Sequence, residues 1–162
     1  MRQYERVPKE HIRQKERIEL RHETFSDSFE THWHEFYEIE LILEGSGTYN
    51  IDGIDYPIKE GSLFFMSPSS YHHITFTENT KLINFMFTLN ACDLYFLCGI
   101  FDHNPHIATR LSASDKELIY TLAKDIVNTN SVKYQSVMLN CVLVKIQSLN
   151  TLGIADLKDY KM

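Results

Sequence analysis

Four of the six glycines in this 162-residue chain fall between residues 45 and 61, and they punctuate a run of short apolar segments. Glu44-Gly45-Ser46-Gly47 marks one turn, and Asp52-Gly53 is a strong hairpin signal. Between them, Thr48-Tyr49-Asn50-Ile51 reads as a short strand. Ile54 to Ile58 reads as the next, ended by Glu60-Gly61. Leu63-Phe64-Phe65-Met66 fits a buried strand halted by Pro68. His73 to Thr77 and Leu82 to Leu89 follow. Many short strands with regular turn signals predict a sandwich or barrel over residues 31–90. Residues 91–111 are ambiguous: Leu94-Tyr95-Phe96-Leu97 fits a helical turn packed under the barrel, and Asn104-Pro105 marks a loop.

The period then changes. Ser114-Asp115-Lys116-Glu117 reads as a capping box, with Ser114 accepting from the Glu117 backbone N–H. Leu118, Ile119, Leu122, Ala123, Ile126 and Val127 repeat at helical spacing, and Asn128 to Asn130 ends that helix. A second helix is predicted from about Val132 to Leu149. It is apolar round most of its circumference, leaving a narrow polar stripe of Lys133, Ser136, Asn140 and Gln147. Such a helix must be covered on two sides. The barrel and the first helix can do so in a monomer; a second copy can do so in a dimer.

His32, His34 and Glu38 share even parity. On a strand, residues two apart point to one face, so two imidazoles and a carboxylate converge there. Glu40 continues the parity, unless a bulge turns it to solvent. Tyr49 and Asn84 are candidate pocket residues; Asn84 interrupts the apolar strand Leu82-Ile83-Asn84-Phe85-Met86-Phe87 and needs a partner or solvent. Trp33 has odd parity and is expected to pack between strands. His73 should point away from His72, and His103 and His106 are expected on a surface loop.

His32-x-His34, three residues, Glu38, six residues, Gly45 matches the first half of the cupin signature. Gly61 and His72 match the second half, in which Ser67 and Ser69 stand at the Pro and Gly positions and Phe76 at the Asn position. Ser26 stands where the first half begins with Gly. More specifically, residues 34–49 (HEFYEIELILEGSGTY) and 56–65 (YPIKEGSLFF) resemble the sensor domain of AraC-family transcription regulators, a likeness spanning roughly residues 25–150. It implies a mainly β fold: a cupin-type β-barrel followed by two antiparallel C-terminal α-helices. The implied divisions are an N-terminal arm (1–24), the barrel (25–112), a helical pair for dimerisation (113–152) and the start of a linker (153–162). Phe25 and Phe29 are expected to close one end of the barrel, and the arm to fold across its pocket.

The resemblance implies a small-molecule effector, most plausibly a sugar, contacting His32, His34, Glu38, Glu40, Tyr49, His72 and Asn84. It also implies a homodimer through the helical pair, with Tyr134, Met138, Cys141, Val142, Lys145 and Leu149 as the contact face. DNA would be bound only through a separate pair of helix-turn-helix motifs outside this chain. In metal-binding cupins, the positions of His32, His34, Glu38 and His72 are the ligands, so a divalent transition metal is the alternative occupant. A purely structural role for these residues is also open. The matching functional alternatives are a stand-alone metal-dependent cupin enzyme (a dioxygenase or isomerase) and a metal-free sugar-binding cupin without a regulatory role.

Charge and composition narrow these readings. The net charge is −6, from 16 basic and 22 acidic residues, a poor grip for a phosphate backbone. The arm is the exception, with seven Lys or Arg against four Glu in residues 1–22. No nucleophile elbow, phosphate-cradling loop or CxxC is present, so no enzymatic activity is expected outside the His/Glu cluster. Cys92, Cys98 and Cys141 lie in apolar contexts and are expected as buried thiols of a cytoplasmic protein. No apolar run approaches membrane-spanning length.

Overall fold

A computed structural model describes residues 5–7, 18–26, 28–101 and 105–152. Among the described residues, ten strands form two five-stranded sheets. One contains β1 (Glu5–Val7), β3 (Phe29–His34), β8 (His72–Phe76), β5 (Gly47–Ile51) and β6 (Ile54–Ile58), in that spatial order. The other runs β10 (His106–Arg110), β7 (Ser62–Met66), β4 (Tyr37–Glu44), β9 (Thr80–Phe87) and β2 (Ile18–Phe25). All pairings are antiparallel except β1 with β3. Consecutive strands repeatedly switch sheets, the jelly-roll wiring of a cupin barrel. Helices α1 (Leu94–Cys98), α2 (Ala113–Asn128) and α3 (Val132–Leu152) follow.

The second sheet is buried on both faces, which is why its strands carry long apolar runs. Even residues of β4, β7 and β9 look into the barrel, where Ile42, Phe64, Met66 and Leu82 meet Tyr49, Ile51, Tyr56, Ile58, Ile74 and Phe76 of the first sheet. Odd residues look outward: Ile39, Leu41, Leu63, Phe65, Ile83, Phe85 and Phe87 pack with Ile119, Ala123 and Ile126 of α2 and Leu139, Val142, Leu143 and Ile146 of α3. Strand period and helix period thus share one core, and the helices fix the sheet that carries Glu38.

Turn chemistry holds where it was read. Asp52 and Gly53 both have positive φ (51° and 85°), the two-residue turn that matches hairpin twist. Gly45 has φ 111°, and a Cβ there would lie 2.2 Å from Thr80 Oγ1, so two chain segments pass too closely for any side chain.

Several expectations are corrected. Residues 18–25, assigned to the arm and the barrel's first residue, form β2 and pair with β9 along their whole length. Dense charge masked the strand alternation of Ile18-Glu19-Leu20-Arg21. The rest of the arm beyond β1, the linker at 153–162, and His103 lie outside the described residues, as does the Phe25 side chain. Phe29 is exposed, edge-on to Phe76. The ambiguous stretch contains α1 as expected, and also β10, which the sequence did not reveal. Ser112, not Ser114, caps α2, accepting from the Asp115 N–H at 3.1 Å. Cys98 and Cys141 are exposed, because the apolar neighbours that suggested burial lie on other faces of α1 and α3, and Cys92, in the link before α1, is half-buried.

The polar stripe of α3 does not meet water alone. Ser136 donates to the Ala91 carbonyl at 2.6 Å, and Asn140 accepts from the Asp93 N–H at 2.9 Å. Gln147 sits against Gly99, where a Cβ would come within 2.3 Å of its amide nitrogen. The stripe therefore docks the segment around α1 by capping its backbone. The expected dimer face is also redistributed. Val142 is fully buried inside the protomer, Met138 and Leu149 lean on the same core, and Lys145 pairs with Asp115 at 2.6 Å. Tyr134 and Cys141 remain outward, joined by Val137 and Val144. Sequence alone could not say which side of an almost wholly apolar helix the sheet would take.

Candidate functional site

Strand parity brings His34, Glu38, His72, Glu40, Tyr49 and Asn84 into the barrel, and each is less than a tenth exposed. β4 pairs with β9 without a register shift from Tyr37 to Ile42, so Glu38 and Glu40 both keep the inward face, with Asn84 opposite Glu40. The bulge that would have turned Glu40 outward lies further on, between Ile42 and Glu44.

Glu38 is the hub. Its Oε2 lies 2.8 Å from His34 Nε2 and 3.3 Å from His72 Nε2, and its Oε1 accepts from Asn84 Nδ2 at 2.7 Å. The Asn84 amide also reaches Glu40 Oε1 at 3.4 Å. Burial alone would raise the Glu38 pKa; the His34 and His72 imidazoles outweigh it and hold the carboxyl well below its usual range. Burial, with the Glu40 and Glu38 carboxylates beside it, pushes the Tyr49 hydroxyl well above its usual value, so it keeps its proton.

The histidines share one arrangement. Carbonyls can only accept, so the Nδ1 of His34 donates to Phe36 O (2.8 Å), that of His72 to Ser70 O (3.0 Å), and that of His32 to Glu30 O (2.9 Å). This fixes each Nδ1–H and commits each Nε2 to whatever lies in the barrel. His34 thus has a buried contact at each ring nitrogen, the Phe36 carbonyl at one and the Glu38 carboxylate at the other. Among the described residues, His72 Nε2 (3.3 Å from Glu38), Asn84 Oδ1 and the Tyr49 hydroxyl have no partner in hydrogen-bonding geometry. Buried polar atoms in such positions are exceptional, and a water or a ligand group can satisfy them.

His34, Glu38 and His72 also offer ligand atoms within 4.8 Å of one another, all buried. That set fits a divalent transition metal, since two imidazoles oriented by carbonyls and one carboxylate are its usual donors. His32, expected as a fourth ligand, stands outside this group: it is half-buried, with its ring 4.3 Å from that of His72. Burial and the neighbouring His72 lower its pKa.

The loop aiming His72 departs from the signature in sequence. Ser69, at the Gly position, has φ 73°, the left-handed conformation that glycine adopts at no strain, and its N–H donates to the His34 carbonyl at 2.8 Å. Trp33 is half-buried beside Tyr71, and His73, on the opposite face from His72, meets Thr31 Oγ1 at 3.2 Å.

Two residues were missed. Phe36 is buried and stacks on His34 with centroids 4.0 Å apart, forming an apolar wall; its place in the HEFYE run was the available signal. His106, expected on the surface, is buried on β10 and bonds Tyr56 at 2.8 Å. Its partners lie about fifty positions earlier in the chain, and no local pattern announces them.

Among the described residues, no helix is long and apolar enough to cross a membrane. Similarity to solved structures is of modest extent. An RmlC-like cupin from Shewanella frigidimarina NCIMB 400 aligns with TM-score 0.42 and 21% identity over 43% of this chain and 65% of that one. A predicted oxalate decarboxylase from Thermotoga maritima aligns with TM-score 0.41 and 27% identity over the same shares. In sequence, the HTH-type transcriptional activator RhaS of Yersinia pestis (strain Pestoides F) is 32% identical over 74 residues, 45% of this chain and 26% of that protein. RhaS of Yersinia pseudotuberculosis serotype O:1b (strain IP 31758) gives the same figures, so this chain spans well under half the length of those relatives. The profile of the AraC-like ligand binding domain matches residues 16–107, which run from the approach to β2 into β10 and include every residue of the buried cluster. That span is more than half of the chain, and by it the chain belongs to the AraC-like ligand-binding domain family.

Proposed function

We propose that this domain senses a small, hydroxyl-rich molecule, a sugar, inside the barrel and passes its occupancy to a DNA-binding domain of the same regulator. The observation that carries this reading is the set of buried polar atoms around Glu38 that have no partner among the described residues: His72 Nε2, Asn84 Oδ1, which accepts, and the Tyr49 hydroxyl, which donates. Alternating hydroxyls satisfy such a mixed set, and the Phe36 ring supplies an apolar wall beside it. The acidic balance of the chain and its membership of a ligand-binding domain family support the reading that DNA is contacted through another domain. For binding to act as a signal, the effector must prefer one arrangement of the protein over another.

A second reading, a metal-dependent cupin enzyme, draws on the His34, Glu38 and His72 donor set. One experiment separates them. Metal-stripped protein is screened by thermal shift against neutral monosaccharides and, separately, Zn(II), Ni(II) and Mn(II), with elemental analysis of protein as purified. The sensor reading expects a sugar, at a hundredfold its Kd, to add about 2.7 kcal/mol of stability, lost in Asn84→Leu. One tightly held metal per chain, lost in His34→Ala, with no sugar stabilising either form, would replace it with the enzyme reading.

A further inference from the structure

The two sheets meet at an edge where no backbone ladder joins them. β6 ends one sheet and β10 ends the other. Side chains bridge that gap: the Tyr56 hydroxyl on β6 lies 2.8 Å from His106 Nε2 on β10, and His106 Nδ1 lies 3.3 Å from Asp52 Oδ2 in the β5–β6 turn. The directions follow from the partners. A carboxylate only accepts, so Nδ1 carries the hydrogen, Nε2 accepts, and Tyr56 donates to it. His106 is buried, as is Tyr56.

Asp52 carries the linkage further. Its Oδ1 accepts from the Tyr71 N–H at 2.9 Å, and its own N–H donates to the Tyr71 carbonyl at 2.7 Å. Tyr71 is the residue before His72, whose Nδ1 is fixed by the Ser70 carbonyl. Ser70 and Ser67 in turn donate to the carbonyl of Pro105, the residue before His106. The loop that aims His72 is therefore held from both sides by the residues around His106.

We propose that His106 is a positioning residue: through Tyr56 and Asp52 it clasps the β6–β10 edge of the barrel, and through Asp52, Tyr71 and Pro105 it holds His72 in its place beside Glu38. That His72 serves an effector rests on the sensor reading; the clasp itself does not. Asp52 and Tyr56 are the titratable groups that the described residues bring against His106; Glu38 lies two strands away across the sheet, behind Met66. Burial pushes His106 down from its ordinary 6.5, with Asp52 partly offsetting it, so the neutral form with Nδ1–H is the clasping one. A proton on Nε2 would leave the Tyr56 hydroxyl facing a donor. A histidine depressed in this way supports the fold above its ordinary value, and the support is lost as pH falls through the lowered value.

The test uses the unliganded protein, so that its outcome is separate from that of the effector screen. Imidazole 15N NMR should show His106 as the Nδ1–H tautomer in the wild type. In Asp52→Asn the asparagine keeps the Tyr71 contact but offers a donor to Nδ1, and the tautomer should flip to Nε2–H. His106→Leu should shift the His72 ring signals and raise amide exchange at Tyr71, His72 and across β6 and β10 by about tenfold, the consequence of one lost buried partner. His73→Gln, on the outer face, should do neither. Wild-type exchange, corrected for its intrinsic pH dependence, should rise at the same amides as pH drops below 6.5. Should His106→Leu fail to fold, the Asp52→Asn tautomer and the wild-type pH series carry the test. An Nε2–H tautomer in the wild type, or unchanged exchange at those amides between pH 7.5 and pH values below the His106 titration, overturns the clasp and leaves the sensor reading standing.

Discussion

Glu38 receives contacts from three side chains while being almost shut off from water, and the barrel is built to make that tolerable. Removing one member of a buried charge pair leaves the other without a counterpart, which costs about 3–5 kcal/mol. Glu38→Leu is expected to lose stability in that range. Glu38→Gln keeps the shape, can still accept from Asn84, and can donate to a neutral His34, so it should recover most of the loss. The two differ from wild type in acid as well. The carboxyl of Glu38 is held below its ordinary 4.5, so it stabilises the fold above that value and the support disappears as pH falls through the lowered one. Urea denaturation between pH 3 and pH 6 should show a shallower loss of stability in Glu38→Gln than in wild type; equal slopes would show that Glu38 is not held by its histidines. This cluster was legible because parity is a local property: His32, His34, Glu38 and Glu40 declare their face within nine residues. His106 and Asp52 declare nothing locally, since their meeting depends on how two sheet edges close. Parity also says which face, not how deep, and that is why His32 stops short of the group it was expected to join.

Elements were legible where their signals were short-range and unopposed. The Asp52-Gly53 turn, β6 and the two long helices stand where residue pattern puts them. β2 was hidden by its charges, and β10 by its brevity and the Asn-Pro before it. The start of α2 shows how near a miss can be. Ser112 and Ser114 both precede apolar periodic residues, and the Glu at 117 favoured the second; the first turn instead begins two residues earlier, with Asp115 rather than Glu117 in the third position. The Ser112 hydroxyl accepts from the Asp115 N–H, so Ser112→Ala should cost about 1 kcal/mol. Ser114→Ala, already inside the helix, should stay within about 0.5 kcal/mol. Chemical denaturation of the two variants decides it, and the reverse order would restore the capping box at 114.

At the scale of the whole molecule, the change of period after the barrel was plain, but the partner of the last helix was not. α3 buries Leu139, Val142, Leu143 and Ile146 within the protomer and presents Tyr134, Val137, Cys141 and Val144 outward. Those four are spaced three, four and three residues apart, the spacing of a coiled-coil seam, and each apolar member is more than two-fifths exposed. A second copy of this helix is the occupant such a seam fits. Exposed Ser148 lies seven residues after Cys141, as Tyr134 lies seven before it, so an antiparallel pair about a two-fold axis would place Cys141 opposite its own copy. The wild-type domain at micromolar concentration is then expected to sediment at twice the 19.0 kDa chain mass, and mild oxidation should yield a covalent dimer that Cys141→Ser abolishes while Cys98→Ser does not. Val137→Glu and Val144→Glu should return the domain to monomer, because each sets buried like charges against a desolvated seam, while costing the protomer itself only about 0.5 kcal/mol at an exposed position. A wild type that sediments as a 19.0 kDa species leaves α3 with a wet apolar stripe and overturns the homodimer expected from the sequence. A dimer that survives both glutamates places its interface elsewhere, and Leu118 and Val127 of α2, both exposed, are the next positions to substitute.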